Sequence, residues 1–124
     1  MCELAVGDTV LTRSEHLEQV IFVAWFRKTH QGVIIFAIPN GGGRSITQGV
    51  ALKSEGVLAG IPDLFIPEWR LWIEMKRAKG GRVSNEQKEF KIYLEKVGYE
   101  VIICKGAEDA MCKIQTFLNK KDSK

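Results

Sequence analysis

The chain has few of the residues that build metal knuckles, disulfide frameworks or membrane spans. Its three cysteines, Cys2, Cys104 and Cys112, are odd in number, and no two have the close spacing of a metal knuckle. That argues against a disulfide-stapled secreted scaffold and predicts reduced thiols in a cytosolic protein. His16 and His30 stand alone, so neither is assigned to a metal. No apolar run approaches the roughly 18–20 residues of a membrane span, so no membrane partner is expected. The start, "MCELAVGDTVLTRSE", lacks a basic region followed by an apolar one, which predicts no secretory signal. No repeat, linker or low-complexity segment interrupts the chain, and 124 residues fit one domain, 1–124. The formal charge is only +3, too small an excess to announce a nucleic-acid binder by itself.

What is present is an ordinary globular composition, 45% hydrophobic and 27% charged. Ser14 can cap a helix running to about Thr29, with acids early and bases late to suit the macrodipole. Its second half is apolar nearly all round and is expected to be buried. "GVIIFAIP" reads as a strand, "ITQGVALKSEG" as a short helix, and "PDLFIP" and "LWIEMK" as two strands around the turn "PEWR". Ser84 and Gln87 make a capping-box pattern for the helix "SNEQKEFKIYLEKVG", which Gly98 ends. "YEVIIC" is a strand and "AEDAMCKIQTFLNK" an amphipathic helix. The order α-β-(short α)-β-β-α-β-α describes an α/β domain, and "LWIEMK" to "YEVIIC" has the length of a crossover between parallel strands.

The hairpin carries the anomaly. Strand side chains alternate, so Glu74 and Lys76 share a face with Trp72, while Leu71, Ile73 and Met75 take the other. If Pro67 to Arg70 is a symmetric loop, Ile66 lies opposite Leu71, Leu64 opposite Ile73, and Asp63 opposite Glu74. Like charges across a sheet are destabilising, and buried ones must protonate or find a counter-ion. A hard divalent cation, Mg²⁺ or Mn²⁺, suits such an oxygen-rich site. Lys76 stands one step away, placed to orient a water or to neutralise charge on a phosphoryl group. Spacing alone leaves a second reading open, in which Glu74 and Lys76 form an exposed polar face. Lys76, Arg77, Lys79, Arg82, Lys88 and Lys91 crowd the same stretch of chain.

Pro62-Asp63, ten intervening residues, then Glu74-Met75-Lys76 is the PD-(D/E)XK nuclease signature. With "AIPNGGGRS", "LKSEGVLAGIPDLFIP", "WIEMKRAKGGRVSNEQKEF" and "GYEVIICKGAEDA" around it, the chain resembles the VRR-NUC family from about Ser14 to Leu118. The resemblance implies a restriction-endonuclease-like core, a mixed central sheet flanked by helices. It implies a Mg²⁺- or Mn²⁺-dependent DNA endonuclease in which Asp63, Glu74 and the Met75 backbone carbonyl hold the metal and Lys76 is the catalytic lysine. Gln87 matches a glutamine on the helix after the second strand pair; by spacing it equally closes the capping box. An acidic or amide residue of the first helix is also implied, for which Glu15 with Gln19 is favoured and Glu18 is the alternative.

The resemblance further suggests that Asn40, Gly41 and Arg44 of the "NGGG" loop line the DNA groove, with Lys53, Arg77, Lys79, Arg82 and Lys88 as phosphate contacts. The chain is close in size to stand-alone, phage-type members, which resemble Holliday-junction resolvases. That implies a cytoplasmic homodimer acting on branched or four-way DNA in replication, recombination or repair. Trp69 and Trp72 are candidates for its interface. The rival readings are a flap, single-strand or restriction-like nuclease, and a non-catalytic DNA-binding module.

Overall fold

Alternation along one hairpin decides the architecture. In a computed structural model describing residues 13–39 and 46–122, the chain forms α1 (Glu15–Thr29), β1 (Phe36–Ala37) and α2 (Ile46–Ser54). There follow β2 (Leu64–Ile66), a 3₁₀ turn (Pro67–Trp69), β3 (Leu71–Lys76), α3 (Asn85–Lys96), β4 (Glu100–Lys105) and α4 (Ala107–Asp122). β2 and β3 are antiparallel, with Ile66 opposite Leu71, Phe65 opposite Trp72 and Leu64 opposite Ile73. This is the register that the hairpin count gives. The turn is closed by Arg70, a left-handed residue with φ 51°, whose N–H donates to Pro67 O.

The described strands make one mixed sheet in the order β1-β2-β3-β4. β1 pairs antiparallel with β2, and β4 runs parallel to β3. β3 puts Leu71, Ile73 and Met75 on one face, all fully buried, where Phe22 and Phe26 of α1 and Ala110, Ile114 and Phe117 of α4 pack on them. Each of these Leu, Ile, Met and Phe side chains contributes about 1.5–3 kcal/mol through burial. Trp72, Glu74 and Lys76 therefore face the other way. Trp72 stacks on Phe65 at 4.2 Å, with Phe36 and Tyr99 extending the aromatic row.

Three expectations are corrected. α1 buries only Glu18, Phe22 and Phe26, and its other flank meets solvent because a single layer covers it. Trp69 is not a free interface aromatic: it packs edge-on against Phe26 and His30 and lies beside Phe117, while Trp72 is taken up by Phe65 and Tyr99. Cys112 is disulfide-bonded, whereas Cys104 is free and buried.

Candidate active site

Asp63 ends the loop that feeds β2, and Glu74 sits in the middle of β3. The Asp63 carboxylate completes the hairpin in place of a backbone acceptor: its Oδ2 accepts the Met75 N–H at 2.7 Å. The loop is held by close approach. At Gly60, φ is +90°, and a Cβ there would lie 2.6 Å from the Glu86 carbonyl oxygen, so only glycine lets the loop rest on the first turn of α3.

That turn carries Gln87. Its Oε1 accepts the Ser84 N–H at 2.8 Å and its N–H donates to Ser84 Oγ at 3.1 Å, closing the capping box. Its Nε2 also donates to Glu74 Oε2 at 2.7 Å. One side chain thus closes the capping box and reaches across to the acid on β3.

Glu74 is 3% exposed, and Lys76 Nζ lies 3.4 Å from Glu74 Oε2. The loop after β3 folds over Lys76, where a Cβ at Gly81 would stand 2.8 Å from Lys76 Cβ. α1 delivers Glu15 from the opposite side. Glu15, Asp63 and Glu74 each offer one oxygen, and these lie within 4.8 Å of one another.

Such crowding has an electrostatic cost. Desolvation, then the charge of Asp63, push the Glu74 carboxyl up to about 8 against the pull of Lys76. Desolvation raises Glu15 as well, with Lys76 lowering and Asp63 raising it. Glu74 Oε1 is buried without a partner. A hard divalent cation fits this set: every donor is a carboxylate oxygen, the groups carry like charge when ionised, and a buried oxygen of Glu74 is unmatched.

The sequence matches the VRR-NUC domain over residues 5–108. The chain belongs to the VRR-NUC family. A solved structure described as a VRR_NUC domain protein is similar to it at 26% identity, covering 86% of this chain and 89% of that one, with a TM-score of 0.71. Comparison with curated proteins returns no match. The fold is accordingly of the PD-(D/E)XK type, the chain is a nuclease-type domain, and DNA is its substrate class. Domains of this fold usually use a divalent metal.

Within this VRR-NUC domain the remaining sequence candidates separate. Glu18, the alternative first-helix residue, turns away from the acids. It is fully buried, and its Oε1 accepts the Ala107 N–H at 2.9 Å and lies 3.2 Å from Arg13 Nη1. It serves the start of α4, a role hidden from local sequence because its partner is 89 residues away. Gln19 lines a 410 Å³ cavity with Val20, Phe36 and Leu64, outside the three-acid cluster. Met75 contributes its N–H to Asp63, and its side chain is in the core.

Arg77, Lys79, Arg82 and Lys88 are exposed around the β3–α3 connection and the first turn of α3, and Lys53 is exposed at the end of α2. Asn40, Gly41 and Arg44 lie outside the described residues. Ser84 was legible as a cap but not as the residue that aims Gln87. No described helix is long and apolar enough to cross a membrane.

Proposed function

We propose that the chain is a Mg²⁺- or Mn²⁺-dependent, structure-specific DNA endonuclease that hydrolyses phosphodiester bonds, with a four-way junction as preferred substrate and a homodimer as the working form. The reading rests on the convergence of Glu15, Asp63 and Glu74 beside a buried lysine. When bound, a divalent cation supplies Lewis-acid polarisation of a phosphate oxygen and acidifies a water.

The chain's own residues supply the order. Met75 N–H fixes Asp63 and the Gln87 amide fixes Glu74, so each carboxylate has one oxygen anchored and the other to offer. Lys76, held between strand and loop, presents its ammonium at the same spot, where it aligns the attacking water and opposes charge building on phosphorus. By family analogy the products carry 5′-phosphate and 3′-hydroxyl ends. Exposed Arg77, Lys79, Arg82 and Lys88 are suited to flanking phosphates. A two-fold dimer lets so small a domain nick two strands symmetrically.

Labelled four-way, flap, single-stranded and linear duplex DNAs, each with and without Mg²⁺, test this. Paired symmetric nicks on the junction that need Mg²⁺ and vanish in Asp63→Ala are expected. Cutting that survives Asp63→Ala or chelation sinks the mechanism. Preferential flap or single-strand cutting reassigns the substrate, and tight binding without cutting makes the chain a DNA-binding module.

A further inference from the structure

The metal-facing acid and the start of α3 share one hydrogen-bonded chain. A glutamine amide can present either its oxygen or its nitrogen to a neighbour, and the two ends have opposite hydrogen-bonding sense. Glu74 Oε2 needs a donor. The Ser84 N–H supplies the discrimination: it can pair only with the Gln87 oxygen, which leaves Nε2 facing Glu74 at 2.7 Å. That N–H is in place because Ser84 Oγ accepts the Gln87 N–H at 3.1 Å and closes the ring of the first turn. With Oε2 taken up by Gln87 and Lys76, the carboxylate cannot rotate freely, and the buried, unpartnered Oε1 is the oxygen it presents to the cluster.

We infer that Ser84 is a positioning residue for metal binding, acting through the Gln87 amide to fix the rotation of the Glu74 carboxylate. This rests on the metal reading proposed above. Partners that orient a ligating group are typically worth about 10–100-fold in metal affinity. A plain helix cap stabilises α3 without touching the ion. Here the same box does both, so loss of the hydroxyl loosens the turn that holds the Ser84 N–H on the Gln87 oxygen, and the amide and the Glu74 carboxylate it anchors lose their fixed orientation.

The test is Mn²⁺ binding to the metal-free protein by calorimetry, with no DNA present. Ser84→Ala is expected to weaken binding about tenfold, at the mild end of that range because the backbone N–H remains. Ser84→Thr, which keeps a capping hydroxyl, is expected to restore it to within about twofold. Ile92→Gly destabilises the same helix at a 66% exposed position away from the box, and is expected to lower Tm while leaving Mn²⁺ affinity unchanged.

Parent-like binding by Ser84→Ala overturns the positioning role, and so does an equal loss in Ile92→Gly, which reduces the effect to helix stability. Asp63→Ala runs alongside. If it loses binding while Ser84→Ala keeps it, only the positioning role fails; if it binds Mn²⁺ normally, the metal site fails and takes this inference with it.

Discussion

Glu18 and Glu74 are both buried glutamates, and each has one buried oxygen without a partner. Their surroundings differ in sign. Glu18 meets the N-terminus of α4 and the Arg13 guanidinium, which itself reaches on to Glu108 at 3.0 Å. Its charge is answered inside the protein by a helix end and a cation. Glu74 meets Lys76 and Gln87 but also Asp63 and Glu15, so its region holds more negative charge than its own groups neutralise. An orphaned oxygen therefore does not mark a metal site by itself. The mark is an orphaned oxygen in a group of like charges.

Neutralising each acid breaks the comparison most sharply. Glu74→Gln is expected to abolish Mg²⁺-dependent cleavage while leaving stability at pH 8 equal or higher, because it removes repulsion. Glu18→Gln is expected to keep cleavage but lose about 2 kcal/mol of stability in urea unfolding, the usual worth of a hydrogen bond to a charged group. Equal losses of stability in both would show that the two regions are alike. Next in size is Lys76→Ala, expected to lower the single-turnover rate by roughly 10²–10³-fold if the ammonium stabilises developing charge. A rate within about threefold of the parent would remove Lys76 from the chemistry, since loss of such a donor costs far more.

The contrast also shows what a sequence carries. The hairpin was legible because strand alternation and a symmetric turn are local, so the pairing of Leu64 with Ile73 followed from counting. The placement of Asp63 beside Glu74 came with it, although the contact is made through the Met75 N–H rather than through another rung of the ladder. The sequence predicts a longer β1: the apolar run extends across residues 32–39, but only Phe36 and Ala37 find partners on the short β2, and Ile34 is 67% exposed. The role of Glu18 was illegible because a buried acid that caps a helix from elsewhere in the chain leaves no pattern near itself. Gln87 was half legible, since its spacing from Ser84 is local while its reach to Glu74 crosses from helix to sheet.

The pH dependence separates the two regions again, with a smaller effect. The Glu74 carboxyl is raised to about 8 in the folded, metal-free protein from an ordinary 4.5. Between those values the folded state binds a proton that the unfolded state has released, so stability falls as pH rises. The contribution is full below about 4.5 and gone above about 8. Metal-free protein is expected to show a declining Tm across that window, and Glu74→Gln to flatten the decline. Mn²⁺ at saturating concentration is expected to raise Tm most at the alkaline end, where the ionised carboxylate awaits a cation. A decline that persists unchanged in Glu74→Gln would assign it to other groups.

The same distinction between charges answered inside and charges left for a partner applies to the lysines, where the expected effects are smallest. Lys91 is paired with Glu95 at 2.7 Å, one helical turn on. No ion pair holds the exposed Lys79 among the described residues. A lysine that neutralises a DNA phosphate releases a condensed counterion, so each such contact adds about 0.9 to the slope of log affinity against log salt. Lys79→Ala is therefore expected to flatten that slope by about one contact and to weaken binding by a similar factor on every DNA sequence. Lys91→Ala, whose charge is already spent on Glu95, is expected to leave it unchanged. Measured on a catalytically silent Asp63→Ala background, a parent-like slope for Lys79→Ala would mean that DNA does not run past the β3–α3 connection, and the phosphate contacts would have to be sought on another face.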